Sequence, residues 1–79
     1  MDQENTQQGA ADRLVLHYGG RQKAADALGV TGETIRLWRR DGIPVASALD
    51  VEQKSGGIVR AEEILAEARA RAEVLEARH

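Results

Sequence analysis

The sequence predicts an all-α fold: a compact helix-turn-helix domain of about five helices with an extended C-terminal helix. Three observations predict it. Residues 21–40, RQKAADALGVTGETIRLWRR, carry the residue types that two helices around a tight turn require. Apolar residues recur at helical spacing on both sides of that stretch, and glycines punctuate them. Residues 61–78 contain neither Gly nor Pro and are rich in Ala, Glu, Arg and Leu, all strong helix formers.

The motif comes first because it organises the rest. Ala25 is small where two helix axes must approach closely. Gly29 ends the first helix at a point where the chain turns through a left-handed conformation, which costs glycine least. Val30 follows as an apolar plug. Ile35 and Trp38, one helical turn apart, are placed to lock the second helix onto the first. Thr31 precedes that helix and caps its free N–H groups. On a wheel of about 100° per residue, Glu33, Arg36, Leu37 and Arg40 point away from Ile35 and Trp38, with Thr34 at the border. Such a helix suits a DNA major groove.

In chain order, residues 1–9 are polar without apolar periodicity and read as a disordered tail. A first helix follows from Ala10 to Tyr18, with Leu14, Val15 and Tyr18 inward and Leu16 alongside. Gly19 and Gly20 end it. After the motif, Gly42 and Pro44 stop the second motif helix. Residues 45–54 read as a fourth helix with Val45, Leu49 and Ala48 inward and Asp50, Glu52 and Lys54 in water. Ser55, Gly56 and Gly57 break it, and Ile58 and Val59 lead into the last helix. There Glu67 with Arg71, and Arg69 with Glu73, are spaced for ion pairs along the helix. Ala61, Leu65, Ala68, Ala72 and Leu75 alternate steps of four and three, a short coiled-coil spacing. Leu65, Ala68, Ala72 and Leu75 are therefore the expected oligomerisation residues. The division is a tail (1–9), a helix-turn-helix domain (10–65) and a helical extension (66–79).

Charge is divided unevenly. The chain has 79 residues and a net charge of −2. Residues 19–42 carry Arg21, Lys23, Arg36, Arg39 and Arg40 against Asp26, Glu33 and Asp41, while both flanks are acidic. A local positive patch is enough for phosphate binding. The low total predicts selective binding with modest non-specific affinity. Expected phosphate contacts are Arg21, Gln22, Lys23, Thr31, Thr34, Arg39 and Arg40.

Other classes fit poorly. Cysteine is absent, His17 and His79 lie far apart in the chain, and Glu62 and Glu63 point different ways on a helix. No catalytic residue, cofactor or metal ligand is expected. No apolar run approaches a membrane span or signal peptide, so a soluble cytoplasmic product at the bacterial nucleoid is expected.

The segment GGRQKAADALGVTGETIRLWRR, then GIP, a short helix and SGGIVRAEEI, resembles the Cro-like, YdaS-type helix-turn-helix regulators of phages and prophages. The likeness runs from Gly19 to about Ile64. It implies a compact helical DNA-binding domain, and its base-reading positions match Gly32, Glu33, Arg36 and Leu37. Two departures stand out. Arg60 occupies the place of the family's Ser or Thr cap, and the chain continues helically to its end where the family turns away at a proline. The implied function is a transcription repressor that binds an inverted-repeat operator in double-stranded DNA as a homodimer. The alternatives are the antitoxin of a toxin–antitoxin pair, whose protein partner would use the last helix, or the DNA-recognition subunit of a phage packaging terminase.

Overall fold

Amphipathic segments too short to be stable alone must share one core. The computed structural model describes residues 9–77, and in it they do. The elements are α1 (Ala10–Tyr18), α2 (Arg21–Leu28), α3 (Gly32–Asp41), a 3-10 turn (Val45–Ser47), α4 (Ala48–Lys54) and α5 (Ala61–Ala77). Among the described residues there is no strand, so the fold is all-α. None of these helices is long and apolar enough to cross a membrane. The expected tail, residues 1–9, lies outside the described residues except for Gly9.

Helix α1 packs on α2 and α3, α2 on α3, and α4 on α2 and α5. The core between them holds Leu14, Leu28, Ile35, Ile43 and Ile64, each essentially removed from solvent. Burial of such a side chain contributes roughly 1.5–3 kcal/mol. Trp38 closes this core at 8% exposure, and Val30 and Tyr18 pack against its edge. Ala10, Ala11, Ala24 and Ala25 are buried where helices approach closely. Leu16, by contrast, is exposed.

The segment after Pro44 differs from expectation. Val45 and Leu49 are 51% and 68% exposed, not inward, and the buried positions are Ala48, Val51 and Ser55. The cause is the 3-10 turn. Pro44 is extended, the Ser47 N–H donates to its carbonyl at 2.9 Å, and α-helix begins only at Ala48. The tighter winding shifts the phase of the buried stripe. Ser55 is buried but satisfied: its hydroxyl donates to the Glu52 carbonyl and accepts from the Val59 N–H, both at 3.4 Å.

Helix α5 is held at its start by two carboxylates, one of its own and one from α4. The Arg60 N–H donates to Glu63 Oε1 at 2.9 Å, and the Ala61 N–H donates to Glu52 Oε1 on α4 at 2.8 Å. Glu52 therefore caps α5 and does not simply face water. Arg13 of α1 donates to both Glu63 oxygens, at 2.7 and 3.0 Å, and to the Ile58 carbonyl at 3.0 Å. The helix runs unbroken across residues 65 and 66. Glu67 accepts the Ala10 N–H at 2.9 Å. Arg71 lies directly over Gly42, where φ is +96° and any side chain would meet the guanidinium. Among the described residues, neither Glu67–Arg71 nor Arg69–Glu73 forms the expected ion pair.

Candidate nucleic-acid interface

The turn between α2 and α3 is built as its residues dictate. Gly29 takes φ +72°, and the Val30 N–H donates to the Ala25 carbonyl at 2.9 Å. Thr31 is extended, and its hydroxyl accepts the Thr34 N–H at 3.1 Å. The two threonine hydroxyls lie 3.0 Å apart, so Thr34 is tied to the cap. From that fixed start, Ile35 and Trp38 are buried and Glu33, Arg36, Arg39 and Arg40 are exposed. Leu37 is half-buried, less open than the wheel suggests.

Gly32 brings the two motif helices together at this face. A Cβ there would lie 3.1 Å from Gln22 Oε1 and 3.8 Å from Arg21 Nε. A larger residue there would press on the tip of the Gln22 side chain, which would have to give way by a few tenths of an ångström. Arg21 then joins Arg36, Arg39 and Arg40 around one concavity of about 400 Å³, with Asp12 of α1 at its wall. Lys23 is exposed on α2 but does not line it. The Gln22 amide donates to Asp26 at 3.0 Å, one turn along its own helix.

Each arginine on the outer face of α3 has a carboxylate partner. Arg36 reaches Glu33 through both Nε, at 3.0 Å, and Nη2. Arg40 grips Asp41 through Nε at 3.1 Å and Nη2 at 2.9 Å. Arg39 Nε donates to Asp12 Oδ1 at 2.7 Å. The Arg36 hydrogen bond holds the Glu33 carboxyl below the usual carboxylate range. The Arg40 hydrogen bond does the same for Asp41. These acids are therefore ionised at neutral pH, and the face is a lattice of paired charges rather than bare cations. Exposed pairs of this kind cost little to exchange for another anion.

Among the expected oligomerisation residues, Ala68 is half-buried, Ala72 is exposed, and Leu65 and Leu75 are 42% and 61% exposed. Val74, outside the expected seam, is also exposed and lines an apolar hollow with Ala70, Arg71 and Leu75. The sequence reading missed Asp12, whose partner lies 27 positions away and leaves no local signal. Among the described residues, no three His, Asp or Glu groups are close enough to hold a metal ion.

Compared with models of protein families, with curated proteins and with solved structures, the chain matches none.

Proposed function

We propose that the protein is a sequence-specific DNA-binding transcription regulator of the Cro-like, YdaS-type kind. It represses from an inverted-repeat operator, as a homodimer, in the bacterial cytoplasm. The observation that carries this reading is the two-sidedness of α3. Ile35 and Trp38 fix one side to the body, while Glu33, Arg36 and Arg40 stand in solvent on the other. Base edges in the major groove are read by such side chains, above all by arginine on guanine. Gly32, Glu33, Arg36 and Leu37 read bases in this proposal. Arg21, Gln22, Lys23, Thr31, Thr34, Arg39 and Arg40 contact the backbone. Leu65, Ala68, Ala72 and Leu75 join the two copies. No catalytic step and no cofactor form part of it.

The experiment is repeated selection of the purified protein on a random duplex library at moderate salt. Enrichment of one inverted repeat, with half-sites about one DNA turn apart, supports the reading. A pool that stays random sinks it. Sedimentation of the same protein separates the neighbouring readings. A dimer agrees with an operator-binding repressor, and a large ring would indicate a packaging subunit. Stable capture of a co-expressed toxin would point to an antitoxin.

A further inference from the structure

Three of the arginines around the concavity differ in one respect. Arg36 and Arg40 each close a two-point fork on a neighbouring carboxylate of their own helix. Arg39 is held through Nε alone, and among the described residues no acceptor meets either of its Nη groups. Its partner comes from α1, not from α3. The Asp12 side chain is mostly shielded, at 27% exposure, and Arg39 is 46% exposed. Asp12 itself sits on a helix tied to α5 on either side of it. Arg13 donates to Glu63, and the Ala10 N–H to Glu67. The buttress is therefore anchored and the guanidinium edge beyond it is open.

We propose that the concavity lined by Arg21, Arg36, Arg39 and Arg40 seats one phosphodiester of duplex DNA, and that Asp12 is the positioning residue that aims Arg39 at it. The proposal rests on the DNA-binding reading and adds a residue outside the helix-turn-helix. An arginine fork matches a phosphate in two parallel hydrogen bonds, but a free arginine side chain must first give up much rotational freedom. Asp12 removes that freedom before DNA arrives. It takes the Nε–H and leaves the end-on Nη1/Nη2 pair for the phosphate. Arg21 and Arg40 add charge around the same point, and Arg40 exchanges Asp41 for the incoming anion at small cost.

The sign of the effect tests this. Asp12 is an anion beside a proposed anion site, so by charge alone its removal tightens DNA binding. By positioning, its removal weakens binding. The measurement is fluorescence anisotropy of a labelled mixed-sequence duplex at low salt with wild type, Asp12→Ala, Arg39→Gln and the Asp12→Ala/Arg39→Gln double variant. Circular dichroism melting checks each fold. Loss of one hydrogen-bonded orientation predicts binding weaker by roughly three- to ten-fold for each single variant. The double variant should match Arg39→Gln within about two-fold, because Asp12 acts only through Arg39. Asp12→Ala binding as tightly as wild type, or more tightly, overturns the proposal while leaving the DNA-binding reading intact. A wild type that binds no duplex overturns both. Should the Asp12 variants fail to fold, side-chain relaxation of Arg39 Nε–H in the unaltered protein decides. Rigidity close to that of the backbone is expected, and mobility equal to that of Arg21 overturns the proposal.

Discussion

Glu67 on α5 accepts the backbone N–H of Ala10, the first residue of α1, at 2.9 Å. The last helix is thus fastened to the first before it leaves the body. A chain ending at residue 68 keeps that fastening, and a chain ending at residue 65 loses it. Loss of such a bond costs about 1 kcal/mol. That lowers the Tm of a domain this size by about 4–8 °C. The shorter truncation should melt lower by that amount, and equal melting would make the contact irrelevant to stability. The chain ending at residue 68 should also sediment as a monomer and lose tight operator binding if Ala72 and Leu75 join two copies. Retained dimerisation would put the interface elsewhere.

Trp38 is the largest side chain in the core and lies among Leu14, Leu28 and Ile35. Trp38→Ala should cost on the order of 3–5 kcal/mol through lost burial and the cavity left behind. That is a large share of a small domain's stability. Chemical denaturation reads it directly. A soluble variant with an unchanged midpoint would mean that the tryptophan is not the lock between α2 and α3.

Glu63 carries a pH dependence whose sign follows from its partners. The Arg13 hydrogen bond, then the Arg60 backbone N–H, hold its carboxyl below the ordinary value. A depressed folded-state value contributes stability that is present above the unfolded value, near pH 4 to 5, and is lost as pH falls through the folded one. Glu63→Gln should therefore be less stable than wild type at pH 7, with the gap narrowing below about pH 4. Paired melting curves at several pH values test this. A gap that stays constant down to about pH 2 would show that the Glu63 charge is not what Arg13 needs.

Arg36 forms its fork with Glu33 in the free protein and must exchange it to reach a base. Arg36→Ala should weaken operator binding by about 1–3 kcal/mol and relax preference at one position per half-site. Equal weakening on every sequence would make Arg36 a backbone contact instead. Arg21→Ala and Arg40→Ala should give that uniform loss and lower the salt dependence.

The sequence made local matters legible and hid distant ones. Gly29, Thr31, Ile35 and Trp38 act within one or two turns of themselves, so their spacing was enough to fix the motif. The helix from Val45 was out of phase because a 3-10 turn after Pro44 leaves no mark in the apolar pattern. Ala10 and Ala11 escaped notice because small residues are buried or exposed with little difference in pattern. Arg13 with Glu63, Asp12 with Arg39, and Arg71 over Gly42 join segments far apart in the chain. Such pairs depend on the finished packing, and no periodicity encodes them.

The cap on α5 has a consequence for the order of events in folding. Two of its leading N–H groups are taken by Glu63 and by Glu52, and Glu52 belongs to α4. A helix of this length nucleates poorly by itself in water. As a chain is synthesised, residues 61–77 emerge after α4, and the carboxylate that starts them is already anchored there. Ordering of the final helix is then slaved to its predecessor. Amide exchange in the first turn of α5 should follow the opening of α4 rather than fraying from the distal end.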